Sequence, residues 1–196
     1  VKIGLLPSVY KRCIELGIKP IIVDMRQPLP KVSKVVTQIG KYKLRPEQEK
    51  AVKAILSNKL GETPFQIGVL DYTVNAGKTL IMSALYLSYK KQLKTLLITN
   101  DSDWLNQARD EFKQYLPGED ITFVQGKVLN WSNFTIGMVQ SISRNMKYYQ
   151  NELAKIDMVL IDEADQGGSK QYQNVITRLF NTRVRIGLSG TIYMSK

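Results

Sequence analysis

The sequence contains no histidine and only one cysteine among its 196 residues. Without an imidazole, Ser-His-Asp and Cys-His nucleophile systems are excluded, as is any Cys/His cluster for zinc. Acid–base chemistry is left to carboxylates. Cys13 alone cannot close an intrachain disulfide, so a reducing compartment is expected. No apolar run reaches the roughly 18 residues of a membrane span, and the start lacks a charged-then-apolar leader. Membrane and export readings therefore fall away, and a cytoplasmic protein is expected. No internal repeat or low-complexity tract occurs. With 43% hydrophobic and 23% charged residues, the chain is neither disordered, collagen-like nor a disulfide-stapled mini-protein.

What the chain does have is positive charge, and it is unevenly placed. The net charge is +11, and residues 1–60 alone carry 13 Lys/Arg against 4 Asp/Glu. Such asymmetry suggests a polyanion partner, of which nucleic acid is the commonest, or a solvated lysine-rich face.

Local patterns divide the chain near Lys43. Before that point the sequence predicts a short helix over 8–16, capped by Gly17, and a strand over 20–24. These read as the remnant of a small N-terminal α+β domain, with Val1 beginning mid-pattern and an upstream portion expected. Residues 25–43 hold two prolines and four lysines and read as a basic linker or an edge hairpin. From 44 to 196 the pattern alternates. Helices are predicted over 46–58, 78–90, 103–115 and 169–180. Strands are predicted over 66–70, 95–99, 121–124, 135–139, 158–161 and 185–188. Short continuous apolar strands separated by helices predict an α/β domain with a mostly parallel sheet covered on both faces. In that architecture ligands sit at the carboxyl ends of the strands.

Two motifs fall at such ends. Tyr72-Thr-Val-Asn-Ala-Gly-Lys-Thr79 follows a predicted strand and opens a predicted helix, the setting a phosphate loop requires. Backbone N–H groups there cradle phosphate, which makes Asn75, Ala76, Gly77, Lys78, Thr79 and Leu80 the candidate nucleotide-binding set. Lys78 would reach the β/γ oxygens, and the Thr79 hydroxyl would ligate Mg²⁺. The strict pattern wants glycine where this chain has Tyr72. Asn75 also stands where glycine is common, although asparagine tolerates a left-handed backbone. The second motif, Met158-Val-Leu-Ile-Asp-Glu-Ala-Asp165, is an apolar strand ending in acids. Asp162 would hold Mg²⁺ through water, and Glu163 would orient and deprotonate the attacking water in phosphoryl transfer. Lys78, Asp162 and Glu163 are therefore the candidate catalytic residues of an ATP hydrolase using ATP and Mg²⁺.

Together with Ser189-Gly-Thr191 downstream, these motifs resemble the first, RecA-like motor domain of superfamily 2 helicases, in the expected order over residues 44–194. The resemblance implies further roles. Leu44-Arg-Pro-Glu-Gln48 is similar to the adenine-reading element, which adds Arg45 and Gln48 to the nucleotide site. Leu96-Leu-Ile-Thr-Asn-Asp-Ser102 is similar to the motif that grips the nucleic-acid backbone, with Asn100-Asp101 replacing the usual Pro-Thr. Asn100 and Ser102 are the expected contacts, because an aspartate beside phosphate is unfavourable. Gly126 with Lys127, and Gln140 with Ser141, resemble two further strand-tracking elements. Ser189 and Thr191 would couple hydrolysis to domain movement through hydrogen bonds to the acidic segment that includes Asp165.

The glycine in Ser189-Gly-Thr191, with the pattern over 3–24, is similar to the phage recombination helicases of the UvsW type. That resemblance implies an ATP-dependent motor acting on single-stranded, forked or branched DNA without sequence preference. It also implies a second motor domain carrying an arginine finger in the same intact chain. RNA helicases, restriction-enzyme motors and a non-catalytic nucleotide-binding DNA scaffold are the alternatives. Trp104 reads as packed against the sheet, and Tyr148-Tyr149 beside Arg144 and Lys147 as a further possible nucleic-acid contact.

Overall fold

In the computed structural model, which describes residues 3–72, 77–128 and 131–190, the predicted apolar runs assemble into one sheet. A 3-10 turn (Ile3–Leu5) leads into α1 (Leu6–Glu15), followed by the hairpin β1 (Gln38–Ile39) and β2 (Tyr42–Lys43). Next come α2 (Pro46–Ser57), a second hairpin β3 (Lys59–Leu60) and β4 (Thr63–Pro64), then β5 (Ile67–Asp71) and α3 (Lys78–Ser88). The chain continues through β6 (Thr95–Thr99), α4 (Ser102–Tyr115), β7 (Ile121–Val124), β8 (Phe134–Met138), α5 (Val139–Arg144) and α6 (Met146–Leu153). It ends with β9 (Met158–Asp162), the 3-10 turn Ala164–Gly168, α7 (Lys170–Ile176) and β10 (Val184–Ser189).

The main sheet has the order β5-β10-β9-β6-β8-β7, and every pairing in it is parallel. Side chains alternate between its faces, as the period of two demands. Leu97 of β6 and Leu160 of β9 enter one core with Leu85 of α3 and Phe112 of α4. Leu96, Ile98 and Val159 enter the other with Ile142 of α5, Tyr149 of α6 and Val175 of α7. Burial on both faces explains why these strands read as continuous apolar runs instead of alternating ones. The result is a three-layer α/β domain.

The N-terminal region departs from expectation. The strand predicted over 20–24 does not form, because no segment among the described residues pairs with it. Ile21 stays 85% exposed and Val23 74%. The helix forms, and Gly17, at φ +72°, closes its C-terminal end. Part of the 25–43 segment becomes the β1–β2 hairpin. Its apolar residues Leu29, Val32, Val35 and Val36 pack against the core that contains α3. The Val36 N–H donates to Ser88 Oγ at 3.0 Å. This cover explains why α3 is buried almost all round. Below it, Asp24 accepts from Arg26 at 2.7 Å and lies 3.2 Å from Arg183 Nη2. The Arg26 hydrogen bond holds the Asp24 carboxyl down at about 2.

Elsewhere the differences are local. The helix predicted over 78–90 stops at Ser88, and Lys90 and Lys91 turn the chain at positive φ. The helix predicted over 169–180 ends at Ile176. The β3–β4 hairpin, α5 and α6 were not predicted, since each is short and lacks a full helical or strand repeat.

Candidate nucleotide and nucleic-acid site

Parallel pairing sends every carboxyl end of the sheet to one edge, and strand order then divides that edge. The phosphate-loop segment follows β5 and the acids follow β9, with β10 between them. Asn100 and Ser102 follow β6, Gln140 and Ser141 follow β8, and Gly126 and Lys127 follow β7. The nucleotide candidates thus occupy one half of the edge and the nucleic-acid candidates the other.

Asn75, Ala76 and Thr191 lie outside the described residues. The remaining phosphate-loop residues open α3. Gly77 is its N-cap at φ +76°, a left-handed conformation that favours glycine. Lys78 and Thr79 are the first two helical residues, so their N–H groups belong to the unsatisfied first turn. Thr79 and Leu80 are buried.

Lys78 Nζ stands 3.8 Å from Asp162 Oδ1, with both side chains largely buried. Asp162 Oδ1 accepts no hydrogen bond among the described residues. Burial pushes the Asp162 carboxyl up to about 6, with Lys78 pulling the other way and Glu163 and Asp101 adding to the rise. A buried carboxylate oxygen with an unused lone pair, next to a lysine and a buried threonine at a helix N-terminus, suits a hydrated divalent cation and a phosphate. Among the described residues no cluster of three acidic or thiol side chains forms a metal cage by itself.

Just beyond Asp162 the backbone bends sharply. Glu163 adopts φ +52°, unusual for a residue with a side chain, and the 3-10 turn carrying Asp165 follows. Ser189 Oγ donates to Asp165 Oδ1 at 2.8 Å. The Ser189 carbonyl accepts from the Tyr72 N–H at 2.7 Å, tying this strand end to the approach of the phosphate loop.

Gln48 is buried at 2% exposure and not on the surface of its helix. Its Oε1 accepts from the Arg45 N–H at 2.8 Å, forming the capping box of α2. A Cβ at Gly77 would come within 2.5 Å of Gln48 Nε2, so the glutamine lies directly against the phosphate loop. Arg45 extends outward to Glu47 at 2.7 Å.

On the other half of the edge, Gln140 Nε2 donates to the Asn100 carbonyl at 3.4 Å. Ser102 is exposed at the start of α4. Asp101 turns inward as the N-cap of α4, its Oδ1 accepting from the N–H groups of Asp103 at 2.8 Å and Trp104 at 3.1 Å. That explains an aspartate where an anion would otherwise repel phosphate. Gly126, at φ +112°, offers its carbonyl to the Tyr149 hydroxyl at 2.6 Å. Trp104 is partly buried against the core, and Trp131 is buried 5.1 Å from Tyr149.

Two residues that shape the site were not singled out from sequence. Tyr172, fully buried in α7, donates to the Asp162 carbonyl at 3.3 Å. Gly187 leaves room for Ala164, whose Cβ lies 2.5 Å from where a Cβ at 187 would stand. Neither has a local signal, because each acts on a segment distant in sequence.

The family model described as type III restriction enzyme, res subunit, matches residues 41–194. The chain belongs to this family. It is accordingly a helicase-family ATPase motor domain, as the superfamily 2 resemblance implied. A protein of Acanthamoeba polyphaga mimivirus named as an ATP-dependent RNA helicase is 26% identical over 147 residues, which are 74% of this chain and 27% of that protein. The chain thus spans about a quarter of that relative's length. The UvsW helicase of bacteriophage T4 matches in structure over 100% of this chain and 73% of its own, at 21% identity and a TM-score of 0.73. The Sulfolobus solfataricus SWI2/SNF2 ATPase core, solved in complex with double-stranded DNA, covers 85% of this chain and 35% of its own, at 21% identity and a TM-score of 0.63. These likenesses establish the RecA-like helicase core fold. No helix among the described residues is long and apolar enough to cross a membrane.

Proposed function

We propose that this chain is the first motor domain of an ATP-dependent DNA helicase or translocase that remodels forked or branched DNA in phage recombination, repair or replication. The observation that carries the reading is the division of the sheet's carboxyl edge. Lys78 and Asp162 meet over β5 and β9, while Asn100, Gln140 and Lys127 line the strand ends beyond them. Residues 44–196 form the motor, and residues 1–43 end a small basic N-terminal domain. A second motor domain of the same intact protein supplies an arginine finger, worth roughly 10³ to 10⁵ in rate for phosphoryl transfer. The setting is the cytoplasm of a bacterial host.

In this mechanism the first turn of α3, from Gly77 to Leu80, presents N–H groups to the phosphates, and Lys78 sets its charge on the β/γ oxygens. Thr79, and Asp162 through water, would hold Mg²⁺, which when bound would supply neutralisation of the charge developing on the phosphoryl oxygens. Glu163 orients and deprotonates the attacking water. Gln48, with Arg45 beside it, reads the adenine against Gly77. Ser189 and Thr191 pass the state of the acidic turn to the neighbouring motor domain through Asp165. Asn100, Ser102, Gly126, Lys127, Gln140 and Ser141 hold phosphates and sugars, so binding is independent of sequence. The exposed lysines 31, 34, 41 and 43 add electrostatic affinity.

The whole-chain match to UvsW supports DNA as the track. The mimivirus relative favours a second reading, an RNA helicase. Steady-state ATP hydrolysis with forked DNA, RNA or no nucleic acid, beside Lys78→Ala, tests both. Strong stimulation by DNA that vanishes in the variant is expected. Stimulation by RNA alone moves the assignment to RNA remodelling, and no turnover with any polymer leaves a nucleotide-binding scaffold.

A further inference from the structure

Residues 121–151 contain no aspartate or glutamate, and their charged side chains are Lys127, Arg144 and Lys147. This stretch builds β7, β8, α5 and most of α6 at the outer edge of the sheet, and the next residue of α6, Glu152, is paired with Lys94 and Lys155. Within residues 121–151 every charged side chain is therefore positive. Tyr149 fixes α6 to the loop after β7, because its buried hydroxyl donates to the Gly126 carbonyl at 2.6 Å and accepts from the Val128 N–H at 2.8 Å. That anchoring leaves the preceding residue, Tyr148, facing outward at 44% exposure.

Two ammonium groups gather on this exposed ring. Lys127 Nζ lies 3.9 Å from the ring centroid and Lys147 Nζ 5.0 Å. Neither lysine makes an ion pair among the described residues. Placing two like charges over one ring costs repulsion, which the cation–π contact of each lysine offsets in part. A free lysine also loses considerable rotamer entropy when it engages a ligand. A ring that has already restricted two such chains lowers that cost for an anion bridging them.

We propose that Tyr148 is a positioning residue which holds Lys127 and Lys147 as a two-pronged grip on a backbone phosphate of the bound nucleic-acid strand. The grip lies on the outer edge of the sheet, beyond the contacts at Asn100 and Gln140. It rests on the nucleic-acid motor reading above. The ring's role is to hold the lysines, so its hydroxyl is dispensable.

Fluorescence anisotropy of a labelled oligothymidylate, titrated with the whole protein over a series of salt concentrations, tests this. Tyr148→Ala and Lys147→Ala should each weaken binding about 3- to 10-fold at low salt and flatten the log–log salt slope by about 0.7 per lost phosphate contact. Tyr148→Phe should restore both affinity and slope, and adding Tyr148→Ala to Lys127→Ala/Lys147→Ala should change nothing further. Wild-type slopes in Tyr148→Ala and Lys147→Ala, or a Tyr148→Phe protein that behaves like Tyr148→Ala, would overturn the proposal while leaving the motor reading in place. A wild-type protein with no salt-dependent binding to any polynucleotide would overturn both.

Discussion

The hydroxyl of Ser189 donates to Asp165 across 2.8 Å, joining the end of β10 to the turn that carries the acids beyond β9. Those strands are hydrogen-bonded neighbours, in register from Val184 opposite Met158 to Leu188 opposite Asp162. The bond therefore adds little to the sheet and mainly fixes the turn. Ser189→Ala should cost about 1 kcal/mol in stability, as for a single hydrogen bond. It should lower strand displacement far more than nucleic-acid-independent ATP hydrolysis. Parallel measurements of unwinding and hydrolysis check this, and equal losses in both would remove the coupling role.

Gly187 bears on the same turn. A Cβ there would press within 2.5 Å of Ala164 Cβ, in a sheet interior that cannot shift freely. Gly187→Ala should destabilise by about 1–3 kcal/mol through overpacking and reduce ATP turnover by displacing Glu163 and Asp165. Gly68→Ala in β5 has open space at its Cβ and serves as the control, with turnover at the wild-type level. Thermal melts and hydrolysis rates of the two variants separate these outcomes.

Asp162 makes stability and ligand binding respond to pH in opposite directions. Its carboxyl is raised to about 6 chiefly by burial, so the fold favours the protonated form. The associated stabilisation is complete below the unfolded value of about 3.9 and is lost as pH rises through about 6, on the order of 3 kcal/mol in all. Mg²⁺ requires the carboxylate, so Mg²⁺–nucleotide affinity should fall up to tenfold per unit as pH drops below about 6. In Asp162→Asn the stability step between pH 4 and 6 attributable to this residue should vanish. Melting profiles and calorimetric titration against pH test the two limbs separately.

Asp101 caps α4 between the nucleic-acid candidates Asn100 and Ser102, so charge and capping can be separated there. Asp101→Ala should cost about 0.5–2 kcal/mol, since two N–H groups lose their acceptor. Asp101→Asn should retain the cap, leave the melting temperature near wild type and strengthen binding to single-stranded DNA by removing a negative charge near the phosphates. Unchanged DNA affinity in Asp101→Asn would mean that the backbone does not pass this point.

Sequence alone was enough for whatever depends on neighbours in the chain. Continuous apolar runs marked the strands buried on both faces, Gly77-Lys-Thr79 marked a helix opening after a strand, and Asp162-Glu163 marked a strand end. Absent histidine removed whole classes of chemistry. The resemblance placed Gln48, Ser189 and the strand-tracking residues in order along the chain. The predicted strand over 20–24 failed because a strand's stability lies in its partner, and nothing in the local pattern says whether one exists.

Tertiary structure decided the rest, because those features depend on residues far apart in sequence. Strand order puts β5 and β9 on either side of β10, with Lys78 within 3.8 Å of Asp162, and sets the candidate nucleic-acid residues on the far half of the edge. Burial, which is collective, raises the Asp162 carboxyl and presses Gln48 against Gly77. Gly187 matters only because Ala164 passes over it, and Tyr148 gathers Lys127 only because Tyr149 pins α6 to the loop after β7. Periodicity specifies which face of an element is apolar, but packing selects which distant side chains meet across it.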